Sequence, residues 1–394
     1  MSQLLKEQID LKSIKKLAVL INQHAPDFKI NHLTQIVNQP EWAERPLKQR
    51  IRTVTLALDS GFKQANINHY QACLNYLKPV SVEFSGLFHF IFADYVGCFG
   101  TQHFAESMDA LALFTENSTA EFAIRIFLNS EPERTKNQLL LWAQSENPHL
   151  RRLASEGVRP KLPWAEHLPW IAQNPDWVKP IIECLKVDSS LYVRKSVANL
   201  LNDLTKSQAD WVLQLFNDWL GNQTLQTASL ETAKERVPEI ASKATGNPSN
   251  TICKETRWII KHALRTLLKQ GHPSALAIIG YAGVEHLTVT DWQLDKRVEI
   301  GKQLPLAFRL QTDSQQTLGL LRLEYAVYFL RKQQQPYRKV FKIAEANYLV
   351  SEKAFVKQHN FKLISTRTYY SGLHKIELLV NGQVMHAEEF DLID

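Results

Sequence analysis

The chain has 394 residues, 44% of them hydrophobic and 22% charged, with only 14 glycines. That balance excludes a disordered or low-complexity protein, leaves room for two domains with separate cores, and favours a largely helical body. A net charge of +6 permits a polyanionic partner without requiring one, so what matters is where the cations gather.

The opening MSQLLKEQIDLKSIKKLAVLINQ mixes acids with bases on an amphipathic pattern and lacks the uncharged core of a signal peptide. No later run approaches a membrane span, so a cytoplasmic protein is expected, with no membrane partner. From there to about Tyr281, apolar residues recur every three or four positions, as in LLLWAQ, WVKPIIECL, WVLQLFNDWL and TRWIIKHALRTLLKQ. Breaks at ENPH, NPDW, VDSS and GNPSN separate these helices into hairpins. Two units superimpose in sequence, NPHLRRLASEGVR and DSSLYVRKSVANLLND, placing Leu150 opposite Val193 at an interval of 43 residues. Such a period fits paired helices of a HEAT-like solenoid, in which each unit buries its apolar face against its neighbours. WIIKHALRTLLK, from Trp258, reads as a third copy after a 67-residue gap from Val193 to Ile260.

Beyond Gly283 the pattern changes to short alternating runs, VEIGKQLPLAFRLQTD, LLRLEYAVYFLR, KVFKIAE, HKIELLVNG and HAEEFDLI, which predict strands. Asn381-Gly382 supplies the two positive φ angles of a tight hairpin. The predicted architecture is therefore mostly α: a HEAT-like helical-repeat domain over residues 1–285, then a small β-sandwich over 290–394.

On a helix starting near His149, Arg152, Glu156 and Arg159 fall at i, i+4 and i+7 and share a face. The corresponding stripes are Lys195, Asn199 and Asn202 beside Asp203, then His262, Thr266 and Lys269 beside Lys261 and Arg265. A cationic groove of this kind would follow a phosphate backbone. Glu156 and Asp203 are then anomalous, because a carboxylate repels a polyanion. Stabilising a cation that develops at a sugar when an N-glycosidic bond breaks would explain them. Trp164, behind Pro160 and Pro163, would sit at the rim of such a groove. Glu121 opens a helix, where capping and catalysis both favour a carboxylate. Plainer readings stand beside these: Glu156 as an ordinary i,i+4 partner of Arg152, Asp203 likewise, Trp164 as packing, and the stripe as a solvated face. The four cysteines form no C-x-x-C pair, and there is no H-E-x-x-H, P-loop or G-x-G-x-x-G, so neither a zinc site nor a nucleotide enzyme is suggested.

TAEFAIRIFL, NPHLRRLASEGVRPKLPWA, DSSLYVRKSVANLLNDL and RWIIKHALRTLLKQGHPSALAIIGY resemble the signature segments of the AlkC family of DNA alkylation-repair glycosylases. RTYYSGLHKIELLVNGQ is similar to the immunoglobulin-like extension of one branch of that family. The resemblance implies a monofunctional, cofactor-free, monomeric enzyme that removes 3-methyladenine and 3-methylcytosine from double-stranded DNA without a lyase step, acting on a base left largely in the stack. It makes Glu156, Asp203 and Glu121 the catalytic carboxylates, and places Trp164, Arg152 and Arg159 at the lesion. Lys161, Arg194, Lys195, Lys261, His262, Arg265 and Lys269 would bind the duplex, and the extension would touch it from the other side through some of Arg331, Lys332, Lys339, Lys342 and Arg367. One departure is Ile126, where the family pattern has proline. The alternative is a non-catalytic HEAT-repeat DNA-binding or scaffold protein. A glycoside hydrolase using the same acids is disfavoured by the basic stripe.

Overall fold

A computed structural model describes residues 5–221, 224–225, 252–312, 316–331, 335–363 and 368–394. The GNPSN break predicted at 246–250 lies outside them, as do Lys332 and Arg367. The chain packs as two compact units, Met1–Gln208 and Ala209–Asp394.

The first unit is helical. Its N-terminal helices are α1 (Leu11–His24), α2 (Ile30–Thr34), α3 (Leu47–Gln64), α4 (Tyr70–Ser81), α5 (Phe90–Phe99) and α6 (Phe104–Asn117). They are followed by α7 (Glu121–Ser130), α8 (Pro132–Ala143), α9 (Pro148–Glu156), α10 (Pro169–Gln173), α11 (Lys179–Leu185) and α12 (Leu191–Leu204). The apolar spacing explains the packing: in α1, Ile14, Leu17, Ala18 and Ile21 form one buried stripe, and Asp10 caps the helix by accepting from Ser13 N at 2.8 Å. In α9, Asn147 caps the helix and Pro148 occupies its first turn, where a missing N–H costs nothing.

The 43-residue register is visible in matching contacts. Arg151 Nη1 donates to the carbonyls of Ser145 and Glu146 at 3.0 and 2.8 Å. Arg194 Nη1 donates to those of Asp188 and Ser189 at 2.9 and 2.7 Å. Each arginine thus reaches back six and five residues to tie the turn before its own helix. The shared signal in the two sequences is this structural job as much as a charge.

The second unit opens with α13 (Ala209–Leu220), α14 (Lys254–Ala263), α15 (Arg265–Gln270) and α16 (Pro273–Ile279). The continuous helix predicted across TRWIIKHALRTLLKQ is instead interrupted at Leu264, which ends α14 and precedes α15. By packing, these helices group with the strands that follow, so the division of the chain comes before the change of secondary structure.

Among the described residues, eight strands form two sheets. β1 (Leu287–Leu294), β3 (Gln303–Thr312) and β6 (Glu352–Asn360) make the first, in the order β1-β3-β6. β2 (Arg297–Glu299), β4 (Gly319–Phe329), β5 (Tyr337–Tyr348), β7 (Gly372–Val380) and β8 (Gln383–Ile393) make the second, in the order β2-β8-β7-β4-β5. Alternate residues fill the core between them: Leu304, Leu306, Phe308 and Leu310 from β3, and Leu321, Leu323, Tyr325, Val327 and Phe329 from β4. The sequence pattern gives no sign of β6, because it is a mostly exposed edge strand with little apolar alternation. The predicted hairpin is present, with φ of 47° at Asn381 and 77° at Gly382 between the paired Val380 and Gln383. Its tip packs on the end of α15, so closely that a Cβ on Gly382 would lie 2.5 Å from Gly271 Cα. The Asn381 side chain adds a hydrogen bond to the Ala282 carbonyl at 3.0 Å.

Among the described residues, no helix is long and apolar enough to cross a membrane.

Candidate active site

Glu121, the first residue of α7, has both carboxylate oxygens gripped by Arg152 of α9, at 2.8 and 3.1 Å. Arg152 also lies 3.6 Å from Glu156 Oε1, one turn along its helix. Glu156 Oε1 accepts from Arg159 Nη1 at 2.7 Å, and Arg159 Nε donates to Asp203 Oδ2 of α12 at 2.9 Å. Lys206 Nζ completes the row by donating to Asp203 Oδ1 at 2.9 Å. The result is an alternating ladder, Glu121–Arg152–Glu156–Arg159–Asp203–Lys206, with three carboxylates, three cations and no net formal charge. The carboxylates are buried, while the Lys206 side chain is 40% exposed.

Placement on the helices makes the ladder informative. Glu121 sits at a helix N-terminus, where the dipole favours an anion. Glu156 is the last residue of α9 and Asp203 the penultimate residue of α12, where the dipole opposes one. Each is compensated by strong charge-assisted hydrogen bonds. Burial works to lower the pKa of Arg152, but Glu121 and Glu156 outweigh it and the net shift is upward. Arg159 is likewise raised, with Glu156 and Asp203 outweighing burial. The Ser196 hydroxyl donates to Glu156 Oε2 at 2.7 Å and accepts from the Ser155 hydroxyl at 2.7 Å.

The helix carrying Arg152 and Glu156 ends before Arg159, contrary to the prediction of one continuous face through i+7. Gly157 follows the last helical residue, and Arg159 reaches the ladder from the turn beyond. Arg125 of α7 holds that turn. Its Nη1 donates to the carbonyls of Gly157 and Arg159 at 2.9 and 2.8 Å, and its Nε to that of Glu166 at 3.0 Å, which Nη2 also meets. Burial pushes the Arg125 pKa down to about 10. Sequence reading passed over this residue, although a cation set among Ile124, Phe127 and Leu128 on an apolar helix was a usable signal.

Trp164 lies on the same pinned loop, 53% exposed and at φ 66°, in the left-handed region that a bulky residue rarely adopts. Lys48 Nζ donates to its carbonyl at 2.7 Å. The indole lines a cavity of ≈ 350 Å³ shared with α3, α5 and α7. Thr119, also on the lining, accepts a hydrogen bond from Arg152 Nη1 at 2.8 Å. The Arg152 guanidinium stands 5.3 Å from the centre of the Tyr192 ring. Ile126 interrupts nothing: α7 runs unbroken past it, and the side chain packs toward Gly97.

Residues 115–237 match the family described as DNA alkylation repair enzyme, and residues 288–394 match the Uncharacterised protein YhaZ, C-terminal Ig-like domain. The alkylpurine DNA glycosylase AlkC of Pseudomonas fluorescens, solved bound to DNA containing an abasic site analog, superimposes with a TM-score of 0.84 and 30% identity, over 100% of both chains. Uncharacterized protein YhaZ of Bacillus subtilis (strain 168) is 36% identical over 390 residues, covering 98% of this chain and 99% of that protein. The chain belongs to the AlkC family of DNA alkylation-repair enzymes. It falls in the branch of the AlkC family that carries an immunoglobulin-like extension, and its helical repeats followed by a β-sandwich are the fold expected from the sequence.

The remaining predicted residues are placed less uniformly. Lys161, Lys195 and Lys269 are exposed. Arg194 is committed to the turn carbonyls described above. In the second unit, Lys261 pairs with Glu345 at 2.6 Å, the His262 ring stacks on Trp258 with centroids 3.6 Å apart, and Arg265 donates to the His262 carbonyl at 2.7 Å. In the sandwich, Arg331 lies over Tyr337, Lys339 over Phe341, and Lys342 donates to Glu345 at 2.6 Å. Glu345, drawn on by Lys261 and Lys342 against the cost of its burial, is held at a pKa of about 2.

Proposed function

We propose that the protein is a monomeric, monofunctional DNA glycosylase that hydrolyses the N-glycosidic bond of cationic alkylated bases in duplex DNA. Its substrates are 3-methyladenine and 3-methylcytosine, and the damaged base stays largely in the stack. The observation that carries this reading is the ladder: three carboxylates buried against cations, two of them at helix ends that disfavour them. Membership of the AlkC family supports it, as does the likeness to a glycosylase seen with an abasic site analog, since an abasic site is what base removal leaves.

A base that already carries positive charge departs with the electron pair of the glycosidic bond and becomes neutral. The positive charge then falls on the sugar, and a negative potential there lowers the barrier. In this reading Glu156 supplies that potential and Glu121 fixes Arg152. Asp203 orients the attacking water and takes its proton. Lys206 is the most exposed member of the row, so a DNA phosphate can draw it aside and uncover Asp203. No tight base pocket is required for the bond to break, because the leaving group needs little activation.

Lys161, Lys195 and Lys269 are proposed to contact phosphates, with His262 and Arg265. Lys261 would have to exchange Glu345 for DNA, and Arg194 is assigned to shaping its turn. Residues 1–285 would provide the catalytic module, and 290–394 a second DNA contact.

The complete pairing of the carboxylate oxygens also suits a purely structural ladder in a DNA-binding scaffold. Incubation with methylated duplex DNA separates the two: the glycosylase releases free 3-methyladenine in preference to 7-methylguanine, and a scaffold releases neither.

A further inference from the structure

The proposed bond cleavage leaves the ≈ 350 Å³ cavity of the first unit without a role. That volume is at the small end of ligand sites, enough for one fused ring system. Phe90 and Phe122, whose rings lie 5.5 Å apart and inclined at 47°, both line the cavity. Trp164 adds a third aromatic residue to the lining, at positive φ, with Lys48 donating to its carbonyl and Arg125 holding the carbonyl of Glu166 two residues on. Strain of this kind in an exposed aromatic is held by its surroundings, and it marks the position as one where the ring's placement matters.

The polar groups are few. The Asp94 carboxylate is clamped by Arg52, with Nε and Nη2 each donating at 2.9 Å, so it presents a fixed acceptor edge. The Thr119 hydroxyl lies on the side toward the ladder, bonded to the same arginine that grips Glu121. Flat aromatic faces with a handful of fixed polar edges suit a planar heteroaromatic ring better than a sugar phosphate, which would need converging cations.

We propose that this cavity is a nucleobase site, filled by the excised base as it leaves the sugar. The idea rests on the glycosylase reading for its ligand. A base swung out while still attached to its strand offers the same chemistry, and the experiment distinguishes the two sources.

Titration of the full chain, without DNA, with free 3-methyladenine or adenine should give saturable quenching of tryptophan fluorescence and a matching calorimetric isotherm. Phe122→Ala should weaken binding by about tenfold or more through loss of one stacking face. Because that change thins the wall of a folded repeat, Gln49→Trp provides a second variant: it starts from an exposed residue on the lining and blocks the mouth. A duplex carrying 2-aminopurine beside an abasic analogue forms the other arm. Quenching of that base, abolished by Gln49→Trp and competed by free adenine, would place a strand-attached base in the cavity. Binding of the free base alone would identify the excised product. Absence of both, or binding unchanged in both variants, overturns the proposal. If the parent protein releases 3-methyladenine from DNA yet binds no free base, only the cavity assignment falls. Binding of free base without release would refute the glycosylase reading and leave a base site.

Discussion

Replacing Glu156 with glutamine removes one negative charge and almost no volume. The new amide can still accept from Arg159 and meet the Ser196 hydroxyl, and neither arginine is stranded, because Arg152 keeps Glu121 and Arg159 keeps Asp203. The loss of stability is therefore that of weakening charge-assisted hydrogen bonds, about 1–2 kcal/mol. For a unit of this size that lowers the melting temperature by roughly 2–8 °C. The effect on catalysis is larger. A carboxylate about 4 Å from the developing sugar cation contributes ~4 kcal/mol at an effective dielectric of about 20, and losing comparable fixed stabilisation costs about 100- to 1,000-fold in kcat. Single-turnover release of 3-methyladenine, measured beside a melt and a duplex-binding titration, tests all three quantities. The expected outcome is a large rate loss, a small thermal shift, and DNA affinity equal to or above that of the parent. A variant that melts normally and cuts as fast as the parent would show that Glu156 belongs to the architecture alone.

Arg125→Lys substitutes a point charge for a fork that spans three carbonyls, so kcat should fall at least about tenfold with the affinity for duplex DNA nearly unchanged; equal loss of both would indicate general unfolding. Lys195→Ala should weaken DNA binding and flatten the plot of log affinity against log salt by about one unit, read by titration at several salt concentrations. His89 is fully buried against Phe92 and Phe114, and burial pushes its pKa from 6.5 down to about 4. The unfolded chain then binds the extra proton first, so stability of about 3 kcal/mol is present above pH 6.5 and is lost as the pH falls toward 4. In His89→Phe, melts across that range should lose this slope. Gly382→Ala sets a Cβ against Gly271 at a φ of 77°, and should lower the melting transition of the second unit by several degrees, seen by calorimetry.

Much of the architecture was legible because it rests on local periodicity. The apolar stripe of α1, the turn before α9 and the Asn381-Gly382 hairpin each carry their geometry in a few adjacent residues. The 43-residue repeat was legible for a related reason: Arg151 and Arg194 do the same job at the same offset. What could not be read locally was partnership. Lys261 fits a cationic stripe until β5, far along the chain, brings Glu345 to it. Arg125 looks like a misplaced charge until the turn at 157–159 and the Glu166 carbonyl arrive around it. The break at Leu264 was hidden because apolar spacing continues across it, and the edge strand β6 was hidden because it buries too little to alternate.

The ladder residues named from sequence, Glu121, Arg152, Glu156, Arg159 and Asp203, converge in the structure, but by a route different from the predicted one. A single helical face would have presented Arg152, Glu156 and Arg159 as a rigid cationic and acidic edge. A helix end followed by a pinned turn instead brings Arg159 back between two carboxylates on different helices, neutralising both. Charge balance of this kind matters for a protein that meets DNA. Unpaired carboxylates would repel the phosphates before any chemistry began, whereas a balanced row presents no barrier at long range. In the proposed mechanism it would become negative at one point only, when a phosphate draws a cation from its end. Lys206, exposed and last in the row, is the member that can be removed without disturbing the two arginines. The polyanion would thereby uncover, beside its own sugar, the carboxylate that orients water, adding to the negative potential that Glu156 supplies. Lys206→Met tests that sequence of events: leaving Asp203 uncovered in advance should weaken duplex binding yet preserve the rate of the bound complex, whereas a purely structural lysine would change neither in that pattern.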